Sequence, residues 1–408
     1  MTRTTSIVRR ARAARHRFLH LLALLASSLA SLWGGPLPDV AAQEVALANY
    51  IRTDSDQTTV IAPRLRVNYP IVEGTTVDAV YAVDIWTSAS IDIRTSATKV
   101  PVTEQRDEFD LSVAHTIGDG VLSAAYRNSS EPDYQSHGVS LSLSQDFASR
   151  NTTLAVGLSV GRDTVGRVDW DQWKRGLTTI GGRVALTQVV DVDTLVMLMY
   201  EPQYVDGYQA SAYRRVAIGG NLGNCWGPPQ PSAANPDEPA APLDPAIAAA
   251  IRAPLCPEEA NPEQRLRHAI AGRGRRALGE HLSVGAAYRL YLDDWGILSH
   301  TIEADLVYAF VEGTYVAVGY RFYTQGSADH YKPIYWQPEP FMTSDKELSS
   351  LSAHRASIEF EHAFSGGLSD PGLRVNLSVA PSIYFYPEFP LLDQIEAVDV
   401  NGAVVWAF

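Results

Sequence analysis

The chain has 408 residues, two cysteines, 46% hydrophobic and 19% charged residues, and a formal net charge of −13. Beyond the N-terminus it holds no run of about 20 apolar residues, which excludes a helical membrane bundle, and it is too apolar for a disordered polyampholyte. Its acidic balance, with no long basic stretch after residue 20, excludes nucleic-acid binding.

Residues 1–17 carry Arg3, Arg9, Arg10, Arg12, Arg15 and Arg17 and no acid, and Phe18 to Trp33 is an apolar run broken by Gly34, Gly35 and Pro36. Small residues at Val40-Ala41-Ala42 place cleavage after Ala42, so residues 1–42 read as a secretory signal peptide. A membrane anchor would need a longer apolar run, and no cysteine lies near the cleavage point for lipidation. Loss of the six arginines and Asp39 leaves 27 basic against 45 acidic residues, a net charge of −18 on residues 43–408.

From residue 44 onward apolar residues recur with period two. Leu282, Val284, Ala286, Tyr288 and Leu290 alternate with Ser283, Gly285, Ala287, Arg289 and Tyr291. Ile302, Ala304, Leu306, Tyr308 and Phe310 do so against Thr301, Glu303 and Asp305. Such runs cover 44–53, 57–69, 75–87, 105–117, 121–132, 134–147, 152–163 and 175–188. They continue at 193–205, 265–276, 281–293, 297–310, 314–325, 352–364, 372–386 and 395–408. The runs 121–132 and 193–205 alternate poorly, leaving the count open by two. Most are ten to thirteen residues, about the length of a membrane-spanning strand.

Every second connection is short (70–74, 118–120, 148–151, 189–192, 277–280, 311–313 and 365–371), with turn residues such as Gly118-Asp119-Gly120. All the long segments (88–104, 164–174, 206–264, 326–351 and 387–394) fall in the other set. Tyr69, Phe147, Phe310, Phe364 and Phe408 sit at the short-turn ends, as an interfacial aromatic girdle would. The fold class expected is all-β: a transmembrane antiparallel up-and-down β barrel of about 16 strands, with short periplasmic turns and long extracellular loops. Residues 43–408 form that domain, in the outer membrane of a Gram-negative bacterium. A terminal Phe408 on an alternating strand resembles the signal read by the barrel-assembly machinery.

The segment 206–264 holds ten of the 24 prolines between Pro228 and Pro262 and cannot pair as a strand, so it is expected to be a Pro-rich extracellular loop. Asp244 and Pro245 open one short helix there. The two cysteines, Cys225 and Cys256, both lie in this loop and are expected to form a disulfide. Two thiols without histidine partners do not make a metal site, and no cofactor is implied.

If the apolar face meets lipid, the other lines the lumen with Arg64, Arg66, Asp78, Asp84, Glu108, Asp110, Arg183 and Arg273. The same face carries Arg289, Glu303, Asp305, Arg321, Arg355, Glu359, Glu361 and Arg374. Mixed charge suits either a wet pore or a salt-bridge network filling the barrel. No nucleophile elbow, zinc helix, phosphate loop or dinucleotide fingerprint occurs, so no catalytic residue is assigned. Ser299-His300 near Asp293 and Asp294 is a weak hydrolase pattern, and Asp329-His330 with Asp345-Lys346-Glu347 a weak cation pattern.

Several segments carry a resemblance: Val83-Asp84-Ile85-Trp86-Thr87-Ser88, Asp293-Asp294-Trp295-Gly296-Ile297, Tyr320-Arg321-Phe322-Tyr323 and Thr343-Ser344-Asp345-Lys346-Glu347-Leu348. Together they resemble an uncharacterised family of bacterial outer-membrane β-barrel proteins, a domain of unknown function. The resemblance implies a barrel and its location, and transfers no activity or site. Three roles follow as expectations: a porin-like channel or transport component for small polar solutes, a structural or surface-recognition barrel with a plugged lumen, and an outer-membrane hydrolase. Outer-membrane lipid and a small polar solute are the other partners expected.

Overall fold

The computed structural model describes residues 43–88, 102–219, 256–364, 372–389 and 392–408. The expected signal peptide 1–42, the helix near Asp244, and Cys225 lie outside the described residues. Sixteen antiparallel strands close into one barrel in chain order, the last pairing with the first. The first eight are β1 (Glu44–Asp54), β2 (Thr58–Val72), β3 (Thr75–Ser88), β4 (Val102–Ile117), β5 (Gly120–Ser130), β6 (Tyr134–Phe147), β7 (Thr152–Val165) and β8 (Arg175–Asp191). The rest are β9 (Thr194–Gly207), β10 (Gln264–Ala277), β11 (Leu282–Asp293), β12 (Leu298–Val311), β13 (Thr314–Gln325), β14 (Leu351–Ala363), β15 (Gly372–Phe385) and β16 (Gln394–Ala407). Both poorly alternating segments are strands, β5 and β9. They are held by register with their neighbours despite weak patterns.

The barrel is apolar outside and polar inside. On β7, Leu154, Val156, Leu158 and Val160 are exposed, Leu158 at 71%, while Ala155, Gly157, Ser159 and Gly161 turn inward. A barrel made for water would bury the leucines and expose the serines, so this distribution fits a strand with lipid on one face. The pattern persists on β6, β9 and β12.

Histidine and tyrosine mark one level of the outer face. Tyr126 bonds His137 at 2.9 Å, Tyr200 bonds His268 at 2.8 Å, Tyr288 bonds His300 at 2.8 Å and Tyr320 bonds His354 at 2.6 Å. Each pair joins a strand to the next on a diagonal of two residues, with the histidine nearer the long loops. At the opposite end Phe147, Phe310 and Phe364 are exposed. Amphipathic rings at two levels, with aliphatic residues between, form a belted apolar band.

Candidate functional site

Two regions carry chemistry: the long loops at the barrel mouth and the inner wall below them. The described ends of the proline-rich connection, 208–219 and 256–263, fold against the β13–β14 loop. Val216, Ile218, Tyr335 and Met342 form a buried apolar cluster there, and Ala260 and Met342 exchange backbone hydrogen bonds. Loops burying their own core are fixed structure, with few exposed backbone bonds to open.

Polar groups lock that core. Glu259 is 4% exposed and accepts from Thr343 Oγ1 at 2.5 Å, Ser211 N at 2.7 Å and Arg214 Nη1 at 3.5 Å. Arg214 also donates to Asp345 Oδ2 at 2.7 Å. Asp345 caps a short 3-10 turn, Lys346–Leu348, through Glu347 N. Burial pushes the Glu259 carboxyl up against the pull of Arg214. Asp345 is also penalised by burial, but Arg214 and its backbone donors hold it below the ordinary aspartate value. Tyr335 is enclosed, donates to His330 O and accepts from Thr343 N at 3.0 Å; burial pushes its hydroxyl up to about 12.

Other loops tie in. Tyr213 donates to Asp133, between β5 and β6, and accepts from Val168 N at 2.8 Å, between β7 and β8. Arg167 donates to Ala212 O at 2.9 Å and lies over the Tyr213 ring. Tyr386, after β15, packs with Leu351, Phe389 and Ile395 and donates to Glu347 Oε1 at 3.3 Å. The Asp293–Ile297 turn forms a clasp. Asp293 Oδ1 accepts from Trp295 N and Ile297 N, its Oδ2 takes Arg265 and Tyr291, and Trp295 Nε1 donates to Gln264 O at 3.0 Å. Gly296 has φ +88°, and a Cβ there would lie 2.3 Å from Asp329 Oδ1, so glycine is required.

This accounts for the two weak patterns. Ser299 is buried and turns inward while His300 turns outward to Tyr288. Adjacent strand residues face opposite sides, so Ser299 and His300 do not share one site. Asp345 is taken by Arg214, and His330 by Asn261 Oδ1 at 2.9 Å; burial lowers the His330 ring below its ordinary value.

Along the inner wall most charges meet a partner on the adjoining strand. Arg66 pairs with Asp78, Arg106 with Asp84, and Arg127 with Glu108 and Asp110. Arg183 meets Glu201 at 3.7 Å, Arg275 meets Asp305 at 2.5 Å, and Glu303 bridges Arg273 and Arg321. Arg355 and Arg52 share Asp399, and Arg374 takes Glu44. Glu359 and Glu361 accept from Tyr315 and Asn376. Among the described residues Arg64, Arg267 and Arg289 form no ion pair. Arg267 and Arg289 line a cavity of about 610 Å³ against β6–β9.

Arg214, Glu259, Arg265 and Arg267 stand outside the site residues expected from the sequence. Arg265 and Arg267 share parity with Arg273 and Arg275 in one run, a signal that was present. Arg214 and Glu259 lie in a segment without periodicity, and only tertiary packing joins them.

A family described as "Protein of unknown function (DUF3570)" matches residues 85–374. The chain belongs to this family. In this DUF3570 chain the turn Asp293–Ile297 and the segment Thr343–Leu348 are the parts that clasp the loops. No curated protein matches the sequence. Among solved structures, a bacterial polysaccharide outer membrane secretin is similar at 9% identity and a TM-score of 0.47, over 90% of this chain and 98% of that one. Pseudomonas aeruginosa OccK1 (OpdK) is similar at 10% and 0.43, over 92% and 100%. The CymD monoaromatic hydrocarbon channel is similar at 11% and 0.42, over 90% and 89%. Nothing about solute or activity passes from these proteins to this chain.

Proposed function

We propose that this protein is a porin-like channel or transport component of the outer membrane, passing small polar solutes through its lumen. The observation that carries this is the inner face of a closed sixteen-strand barrel: serine, glycine and paired charges, with the apolar residues outside. Sixteen strands are wide enough for an aqueous path unless loops fill it. The apolar band and its two aromatic levels support the membrane location. The Cys225–Cys256 pairing is part of this proposal: Cys256 is almost wholly buried and is not a free thiol.

Purified protein in planar bilayers is expected to give discrete conductance steps. A folded, silent barrel would overturn the channel reading. It would leave the second reading, a surface-recognition barrel with a covered mouth, which the knitted loops around Tyr213 and Arg214 favour.

A further inference from the structure

We propose that the concavity on the inner faces of β6–β11 binds small organic carboxylates, with Arg267 and Arg289 as the anchoring cations. The inference rests on the channel reading for the route by which the anion arrives.

Around the wall, two arginines without an ion-pair partner among the described residues come together at this place. Just below it, Arg273 and Arg275 each have a carboxylate, Glu303 and Asp305. Within its lining, Arg183 is paired with Glu201. Arg267 instead donates one N–H to a neutral acceptor, Gln203 Oε1, at 2.9 Å, and its Nε is buried with no hydrogen-bond partner. A guanidinium has five N–H donors, so most of its capacity is unused. Arg289 lies over the Tyr291 ring at 5.8 Å and has no carboxylate in ion-pair range among the described residues. Arg183, Arg267 and Arg289 outnumber the carboxylate Glu201 in the lining, and this positive excess in an otherwise acidic protein makes a local well for anions.

The wall opposite them leaves room. Ser140, Ser142, Gly157, Ser159 and Gly181 line the β6–β8 side, where larger side chains would fill the space. The volume, about 610 Å³, lies within the range of small-ligand sites. Hydroxyls on one side and guanidiniums on the other suit carboxylate oxygens, which arginine takes in a planar bidentate fashion. The Tyr291 ring and Ala269 add apolar surface for a carbon skeleton, which favours an organic acid over a bare inorganic anion.

The test has two arms. Calorimetry of the folded protein in detergent, titrated with succinate, is expected to show binding that weakens at least tenfold in Arg267→Gln/Arg289→Gln. It should recover in part in Arg267→Lys/Arg289→Lys and stay within about twofold of wild type in Arg275→Gln. The gel shift on boiling confirms that each variant is folded. Absence of succinate binding, equal weakening in Arg275→Gln, or inorganic phosphate binding as tightly as succinate would overturn the proposal. In the second arm, the reversal potential in a KCl gradient is expected to show anion preference that falls several-fold in the double variant. Open channels with unchanged selectivity count against the arginine site, whereas a silent bilayer with intact succinate binding counts against the channel reading alone.

Discussion

Tyr213 and Arg214 are consecutive, yet they bond opposite sides of the barrel. Tyr213 donates to Asp133 between β5 and β6, and Arg214 reaches Asp345 between β13 and β14, eight strands round a ring of sixteen. These contacts carry protein across the mouth, so the described parts of these loops act as one assembly and not as separate tethers.

Arg214→Gln is expected to loosen that assembly. It removes the charge shared by Glu259 and Asp345, and breaking a buried pair costs about 3–5 kcal/mol locally. Hydrogen exchange should quicken in 208–219 and 340–349 while β6–β8 stay protected. Unchanged loop protection would show that the apolar cluster alone holds the mouth.

The mouth should tighten in mild acid. Burial raises Glu259, so its folded form binds a proton more readily than the unfolded chain. That stabilisation is complete below the ordinary glutamate range and is lost as pH rises through the folded value. Asp345 is shifted down and acts oppositely: its contribution is present above the ordinary aspartate value and is lost as pH falls through the lowered one. Loop protection, corrected for intrinsic exchange, should therefore rise from neutral pH toward about 4.5 and decline in stronger acid. Glu259→Gln should flatten the neutral side of the profile.

Neighbouring substitutions on β7 should separate the two faces. Leu158→Arg places a cation in the apolar band near mid-strand and is expected to cost about 2–4 kcal/mol of folding stability in vesicles. Ser159→Arg, turned to the lumen, should leave stability nearly unchanged and reduce conductance. Equal losses for both would contradict a lipid-facing exterior.

The proposed Cys225–Cys256 bridge closes about thirty residues, worth roughly 3 to 4 kcal/mol on the chain-entropy model. Unfolded, unreduced protein should take up no alkylating reagent, and Cys256→Ser should speed proteolysis within 206–264 without altering the gel shift. Labelling of both thiols before reduction would remove the bridge.

The barrel was legible because period two is a local property: each strand announces its two faces without reference to its neighbours. In β5 and β9 alternation weakens, which is why the sequence leaves the strand count open by two, and pairing with their neighbours closes it. The mouth was not legible. Thr343 and Glu259 meet across 84 residues, and Asp345 and Arg214 across 131, in segments whose conformation is set by packing. His300 shows the middle case. Its parity placed it outside, and its bond to Tyr288 follows from a diagonal register that only the paired strands define.

The seam between β1 and β16 joins Glu44 to Ala407 and is continued by Gln43 and Phe408, which exchange both backbone hydrogen bonds. The finished ring therefore offers no free strand edge, which protects it from pairing with other chains. Until β16 is in place, however, β1 has an unsatisfied side. Partial assembly gains little, because the strand that completes the circle, β16, follows the other fifteen in chain order. The open edge is therefore a matter of timing, and it disappears at the moment β1 and β16 meet.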